Sequence, residues 1–346
     1  MKAVVLVGGF GTRLRPLTLT TPKQMLPILH RPMIEHVIEH LASHGIEEAV
    51  LSLGFKPDAF TDAYPGGVCA GVKLHYAIEP EPLDTAGAIR FAALDAGIAE
   101  RFVVVNGDVL TDLDLGALVA FHDEHGGEGT IALHEVDDPS AFGVVPTEAD
   151  GKVIAFVEKP PRDEAPTNLI NAGTYVLEAS VLDRIAGGRK VSIEREVFPD
   201  MVADGTLYAM SGDTYWIDTG TPTKYLQAQM DLLRGVRTGE KIEGAHASAE
   251  IADGATVLRT VVGAGAVVEA GATVKGSVVM AGAHIGADAV VERAIVGPRA
   301  VVGARARVDD VAVLGADSTV GHDLRVSGGT VGVGESIEAD PGPQEN

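Results

Sequence analysis

The chain has 346 residues, 46% of them hydrophobic, more apolar material than one compact core usually holds, which predicts two domains. Its single cysteine, Cys69, excludes an internal disulfide and any cysteine-built zinc site, and fits a reducing compartment, with the cytoplasm as the expected location. A net charge of −22 opposes binding to nucleic acid or anionic lipid over the surface as a whole, so a polyanionic ligand must meet a local cationic pocket or a metal ion.

The apolar run after Lys2 stops at a glycine turn, too short for a secretory leader or a membrane span, and no later stretch is long and apolar enough to cross a bilayer. From residue 1 to about 235, β-rich runs alternate with amphipathic helical stretches, the order of an α/β, Rossmann-like domain with a mostly parallel mixed sheet. Strands are expected at 3–7, 49–53, 73–78 and 102–105. A helix at 33–44 opens after Pro32 and closes at Gly45, and Asp84 reads as the cap of a helix ending near Gly97. Connections of this kind place ligands at the carboxyl ends of the strands.

Directly after the first strand stands Gly8-Gly9-Phe10-Gly11-Thr12-Arg13-Leu14-Arg15-Pro16-Leu17, followed by Thr21-Pro22-Lys23. Glycines let backbone N–H groups approach phosphate oxygens, and Arg13, Arg15 and Lys23 supply charge that an acidic chain otherwise lacks, so the loop reads as a phosphate cradle. No Gly-Lys-Ser/Thr is present, and Leu14 stands where a dinucleotide fingerprint needs its third glycine, so both familiar glycine loops are set aside.

The strand at 102–105 runs into Asn106-Gly107-Asp108, a carboxylate at the ligand end of the sheet, and Asp218 follows the run Tyr215-Trp216-Ile217. Asp108 taken alone reads as readily as a cap of the following turn, and the lesser reading of Asp218 is a cap of the helix that begins at Thr221; converging, they suit one Mg²⁺ completed by water and phosphate oxygens. Val157-Glu158-Lys159-Pro160, expected to end another strand, and Asn171-Ala172-Gly173, expected to begin the next, offer an ammonium for phosphate, with a carboxylate and an amide for hydroxyls, although a lone Glu-Lys pair is more often a solvated ion pair. Thr221-Pro222 reads as an N-cap and first-turn proline, opening a helix to about residue 234.

Further on the pattern changes. Aliphatic residues recur at Ile251, Val257, Val262, Val268, Val274, Val279, Ile285, Val291, Val296, Val302 and Val308, in steps of six, six and five, and Val262, Val279, Val296 and Val313 stand 17 apart. This rhythm describes a three-sided coil with the aliphatics stacked inside, and it resembles the hexapeptide repeats of a left-handed parallel β-helix. The expected division is a catalytic domain at 1–235, a linker at 236–250, the β-helix at 251–338 and a flexible tail at 339–346. The β-helix, with open strand edges, is expected to mediate a homo-oligomer.

The glycine loop with Pro22-Lys23 resembles the GGxGTRLxPLT…PK motif of the sugar-nucleotide pyrophosphorylases, the sugar-1-phosphate nucleotidylyltransferases. That resemblance implies a nucleoside triphosphate and a sugar 1-phosphate as partners and Mg²⁺ as cofactor. It gives Gly8, Gly9, Gly11 and Thr12 contacts to the nucleotide, Arg13 the transferring phosphorus and Lys23 a phosphate. Asp108 and Asp218 match the family's metal aspartates, and Gly143, Glu158, Lys159 and Asn171 inherit the sugar phosphate. The segment 81–87, EPLDTAG, is similar to the EPLGTAG that borders the nucleobase, which implicates Gly87, with Asp84 in place of the usual glycine.

Segments 170–177, 192–199, 207–210 and 311–315 resemble mannose-1-phosphate guanylyltransferases, implying GTP and mannose 1-phosphate as substrates and GDP-mannose and pyrophosphate as products. Pro22-Lys23-Gln24 and 217–221 also resemble glucose-1-phosphate thymidylyltransferases, so thymidylyl or uridylyl transfer to glucose is the alternative. Of other classes, a non-catalytic regulatory subunit is opposed by the presence of Arg13, Lys23, Asp108 and Asp218. Acyl transfer is opposed by His246, His284 and His322, which read as scattered turn residues.

Overall fold

The computed structural model describes residues 1–54, 56–237 and 239–338; the tail expected at 339–346 lies outside the described residues. The described residues divide into two compact units, one within 1–9 and 34–217, the other within 10–33 and 218–338.

In the first unit β-branched runs form the centre of a ten-stranded sheet. Lys2–Leu6, Glu48–Leu53, Val72–Ile78 and Phe102–Asn106 are the four expected strands, each within one residue of its expected ends at either side. Lys2–Leu6 pairs in parallel with Glu48–Leu53 on one side and Phe102–Asn106 on the other, and Val72–Ile78 lies parallel to Glu48–Leu53. Strand order therefore reverses at the first strand, the switch point at which open α/β sheets leave a crevice.

Beyond this parallel centre the sheet turns antiparallel. Leu169–Leu177 runs against both Phe102–Asn106 and Gly129–Glu135, and the short strands Gly143–Val144 and Val157–Glu158 extend it. The core between sheet and helices holds Ile89, Phe102, Tyr175 and Phe198 with almost no exposure, and the Tyr175 and Phe198 rings meet edge to face at 5.2 Å. Each such side chain contributes about 1.5–3 kcal/mol by leaving water. The helix Met33–Ser43 forms as expected.

The second unit contains the helix Pro222–Arg234. As the sequence predicts, the Thr221 hydroxyl accepts from the Lys224 N–H at 3.3 Å, Pro222 occupies the first turn, and Gly235 closes the end with φ +73°. Three parallel sheets follow, one for each side of the coil, consistent with the left-handed β-helix. Val262, Val268, Val274, Val279, Ile285, Val291, Val296, Val302 and Val308 are all fully buried and stack coil upon coil.

Two expectations are corrected here. Val296 is followed in its column by Leu314 rather than Val313, which instead pairs with Ile295. The coil at this point gains one residue, taken up where Asp310 and Val311 both adopt left-handed backbone, φ +57° and +62°. His284 lies in the strand His284–Ile285 and not in a turn, its Nε2 2.8 Å from Glu269 Oε1. Ala245 bridges in parallel to Val262. No helix among the described residues is long and apolar enough to cross a membrane.

Candidate functional site

The register of the first unit places its site residues. Leu6 pairs with Asn106 across the switch point, and the Gly107 N–H donates to the Leu6 carbonyl at 2.9 Å, so Gly8-Gly9 and Asp108 leave the sheet together at its carboxyl end. They line one wall of a cavity of about 450 Å³ that also receives Glu79, Thr85, Asn106 and Lys190. A Cβ built on Gly8 or Gly9 meets nothing within 4 Å, so their backbone faces open space, and Gly9 holds φ +99°, a conformation suited to glycine.

The far wall is built by a clamp. The Val191 carbonyl accepts from the N–H groups of Ala86 and Gly87 at 2.9 and 3.1 Å, and its own N–H donates to the Leu83 carbonyl at 3.0 Å. The Thr85 hydroxyl donates to Glu194 at 2.6 Å and accepts from the Ile193 N–H at 2.9 Å, which locks the start of the helix Asp84–Asp95 to segment 191–194. Glu79 is held by the Ser52 hydroxyl at 3.0 Å and the Leu83 N–H at 3.1 Å, so its carboxylate is oriented before any ligand arrives.

One reading of this segment changes. Asp84 is not an end cap: it is the first residue of the helix, its side chain accepts only from the adjacent Thr85 N–H at 2.8 Å, and its φ is +61°. The family's glycine at that position matches a left-handed backbone, and aspartate is among the side chains that tolerate it. Gly87 does not line the 450 Å³ cavity. A Cβ there would lie 2.8 Å from the Leu83 Cβ and 3.3 Å from the Arg189 carbonyl, so this glycine permits the close approach of helix and clamp.

The residues read as sugar-phosphate ligands gather on the antiparallel side of the same unit. Gly143 pairs with Glu158, the Lys159 N–H donates to the Phe142 carbonyl at 2.9 Å, and the Lys159 ammonium lies 2.9 Å from Glu158 Oε1. Gly143 has no room for a side chain, because a Cβ would lie 2.5 Å from the Phe156 ring. One strand over, the Asn171 amide donates to the Tyr175 hydroxyl at 2.9 Å and its oxygen accepts from the Gly173 N–H at 2.9 Å. Burial pushes the Tyr175 hydroxyl far above its ordinary value, so it stays protonated.

In the second unit Gly11, with φ +56°, is pressed against Thr18 and Lys23: a Cβ would lie 2.8 Å from Thr18 Cγ2 and 3.3 Å from the Lys23 Cβ. Its carbonyl accepts from the Thr18 hydroxyl at 2.8 Å and from the Leu14 N–H at 2.9 Å, closing the turn Thr12–Leu14. Arg13, 61% exposed, points its guanidinium to 3.8 Å from Asp218 Oδ2, while Asp218 Oδ1 accepts from the Gly220 N–H at 2.8 Å. Thus Gly11, Thr12, Arg13, Lys23 and Asp218 belong to this unit, and Gly8, Gly9, Asp108, Gly143, Glu158, Lys159 and Asn171 to the other.

Glu79 and Lys190 are cavity residues that the sequence did not single out. Glu79 was within reach, since it follows the expected strand at 73–78 just as Asp108 follows the one at 102–105. Lys190 had no local signal. Among the described residues no group of three or more His, Cys, Asp or Glu is placed to hold a metal ion.

A family model described as Nucleotidyl transferase matches residues 2–235, and one described as GMPPB C-terminal domain matches residues 243–343. The chain is 42% identical over 280 residues to a mannose-1-phosphate guanylyltransferase of Mycobacterium tuberculosis, covering 77% of this chain and 76% of that one. It is 41% identical over 349 residues to a probable mannose-1-phosphate guanylyltransferase 3 of Oryza sativa subsp. japonica, covering 96% and 95%. Among solved structures, HddC from Yersinia pseudotuberculosis complexed with GMP-PN is 32% identical with a TM-score of 0.57, covering 66% of this chain and 97% of that chain. A putative glucose-1-phosphate thymidylyltransferase from Bacillus anthracis, in complex with a sucrose, is 26% identical with a TM-score of 0.58, covering 66% and 94%.

Proposed function

We propose, from the premise that this chain belongs to the nucleotidyl transferase family, that it transfers the guanylyl group of GTP to mannose 1-phosphate, forming GDP-mannose and releasing pyrophosphate. The observation that carries the reading is the emergence of Gly8-Gly9 and Asp108 side by side at the switch point, over a cavity large enough for a nucleotide. The names of the similar proteins and the GMP-PN bound to HddC support guanine as the base and mannose as the sugar.

In this mechanism an oxygen of the sugar phosphate attacks the α-phosphorus in line with the departing pyrophosphate, so the protein positions groups and neutralises charge, and forms no covalent bond. The backbone of Gly8, Gly9, Gly11 and Thr12 cradles the triphosphate, and Arg13 and Lys23 face its negative charge. Lys159 holds the phosphate of the nucleophile, with Glu158, Asn171 and the bare Gly143 framing its hydroxyls. The donor chemistry fits Mg²⁺, a hard ion that takes carboxylate oxygens from one or two aspartates and its remaining ligands from phosphate and water. Asp108 and Asp218 would hold it, and when bound it neutralises phosphate oxygens. The catalytic part is residues 1–235, joined through 236–250 to the β-helix at 251–338, which mediates self-association in the cytoplasm.

The test offers the purified chain GTP, dTTP or UTP with mannose 1-phosphate or glucose 1-phosphate and measures pyrophosphate. GTP with mannose 1-phosphate should give the highest kcat/KM. Asp108→Asn should lower that rate roughly a hundredfold, the cost of one charged contact of about 3 kcal/mol, with an unchanged melting midpoint. Equal turnover by the variant overturns the role of Asp108. A preference for dTTP with glucose 1-phosphate would instead favour the second reading, to which the likeness to the Bacillus anthracis protein points.

A further inference from the structure

Behind the clamp, on the other side of Leu83 from the nucleotide cavity, lies a separate hollow of about 390 Å³. Its polar end is Arg90, on the helix Asp84–Asp95, beside the turn Gly187-Gly188. Arg90 is half-buried and makes no hydrogen bond or ion pair among the described residues. The neighbouring Arg189 is already engaged, with Glu196 at 2.8 Å and the Lys190 carbonyl at 3.0 Å.

Gly187 makes room for the Arg90 head: a Cβ there would stand 3.0 Å from Nη1 and 3.4 Å from Cζ. The N–H groups of Gly187 and Gly188 donate to no backbone acceptor among the described residues, and Gly188 holds φ +70°. An unpaired guanidinium beside two open amides is a local positive concavity in a chain of net charge −22. The lining also holds the apolar Leu83, Phe91 and Leu94, the last two on the same helix as Arg90, and Leu94 is 51% exposed. Of the two lining carboxylates Asp95 is occupied by His75 at 2.7 Å, which leaves Glu81 as an acceptor for a hydroxyl or an amine.

We propose that this hollow is a second binding site, for a phosphomonoester with a flat or apolar body and hydroxyl groups, the size of a nucleoside monophosphate. The phosphate sits on Arg90 and the glycine amides, the body lies on Phe91 and Leu94, and Glu81 disfavours bare polyanions such as pyrophosphate. The volume falls within the range of small-molecule pockets, and a guanidinium–phosphate pair is among the stronger polar contacts available to a protein.

The test is an equilibrium titration of AMP and of inorganic phosphate onto the full chain with the first cavity blocked by the imido analogue of GTP and Mg²⁺. One equivalent of AMP should bind at least tenfold more tightly than inorganic phosphate. Arg90→Gln, a helix-compatible change outside the proposed catalytic machinery, should weaken it at least tenfold while the melting midpoint stays that of the parent. Gly187→Val, which drives a side chain into the guanidinium, should do the same. No AMP equivalent in the blocked chain, binding that Arg90→Gln leaves unchanged, or phosphate as tight as AMP overturns the site. If the imido analogue itself fails to bind, the proposed function is what fails, because the Arg90-dependent AMP signal is read independently of it.

Discussion

Gly173 shows how a single missing side chain shapes the cavity of about 450 Å³. It sits in the bulge where the register of Leu169–Leu177 shifts, with φ +75°, and a Cβ there would lie 2.8 Å from the Asn106 Cγ. Asn106 lines the cavity two residues before Asp108. Gly173→Ala combines a strained backbone with a displaced amide, costing about 1–3 kcal/mol. It should lower the melting midpoint by several degrees and reduce guanylyl transfer, and Asn106→Gly in the same chain should restore part of the midpoint. A melting curve unchanged by Gly173→Ala would rule out this packing. Asp84 illustrates what stays hidden at this scale: its residue type fits both a cap and a left-handed turn, and only the path of the chain around Leu83 decides between them.

Between elements, His122 ties the helix Leu115–His125 to the strand Gly129–Glu135 and to Glu178, the residue after the strand Leu169–Leu177. Its ring nitrogens lie 2.8 Å from the Thr130 hydroxyl and 3.2 Å from Glu178 Oε1, and its side chain is 1% exposed. Since the carboxylate can only accept, Nε2 donates to Glu178 and Nδ1 accepts from Thr130. Burial holds the imidazole below its ordinary value of 6.5, so the folded chain keeps it neutral where the unfolded chain takes up a proton. Stability contributed by this group is therefore present above pH 6.5 and falls as pH drops from there toward the lowered folded value, by up to about 1.4 kcal/mol per pH unit. His122→Gln should be less stable at neutral pH yet show a shallower loss between pH 6.5 and 5, read from urea midpoints at each pH. A slope equal to the parent's would show that His122 does not titrate in this way.

The elements were readable where periodicity and punctuation agree. Four parallel strands, the Thr221-Pro222 helix start and the inward aliphatic columns follow from β-branched runs, capping residues and a regular rhythm. The antiparallel strand at 143–144 carries too few residues for a period to appear. In the site, strand-end logic found Asp108 and should have found Glu79, whereas Lys190 reaches the cavity only through a tertiary clamp that leaves no mark in neighbouring residues. Gly87 and Gly143 were singled out for ligands, and in the structure both are also sites of close backbone packing.

At the scale of the molecule, the β-helix presents strand edges unpaired among the described residues at its ends, Glu250–Ile251 and Ser336–Ile337 in one of its sheets, and exposed Leu258, Val301 and Val333 on its sides. Unpaired edges and apolar side chains of this kind favour association between copies. Light scattering at micromolar concentration should report a species larger than the 35.9 kDa chain, and a monomer alone would count against the oligomer.

The extra residue at the Asp310-Val311 corner carries a consequence for tolerance to change in length. The rungs above and below stay in register, Val302 with Val320 and Val308 with Val326, although that winding is longer by one. Slack introduced at a vertex is thus confined there, because the strands of the flat sides keep their pairing on either side of it. A foreign peptide spliced between Asp310 and Val311 would hang outward from the prism, leaving its dry interior undisturbed.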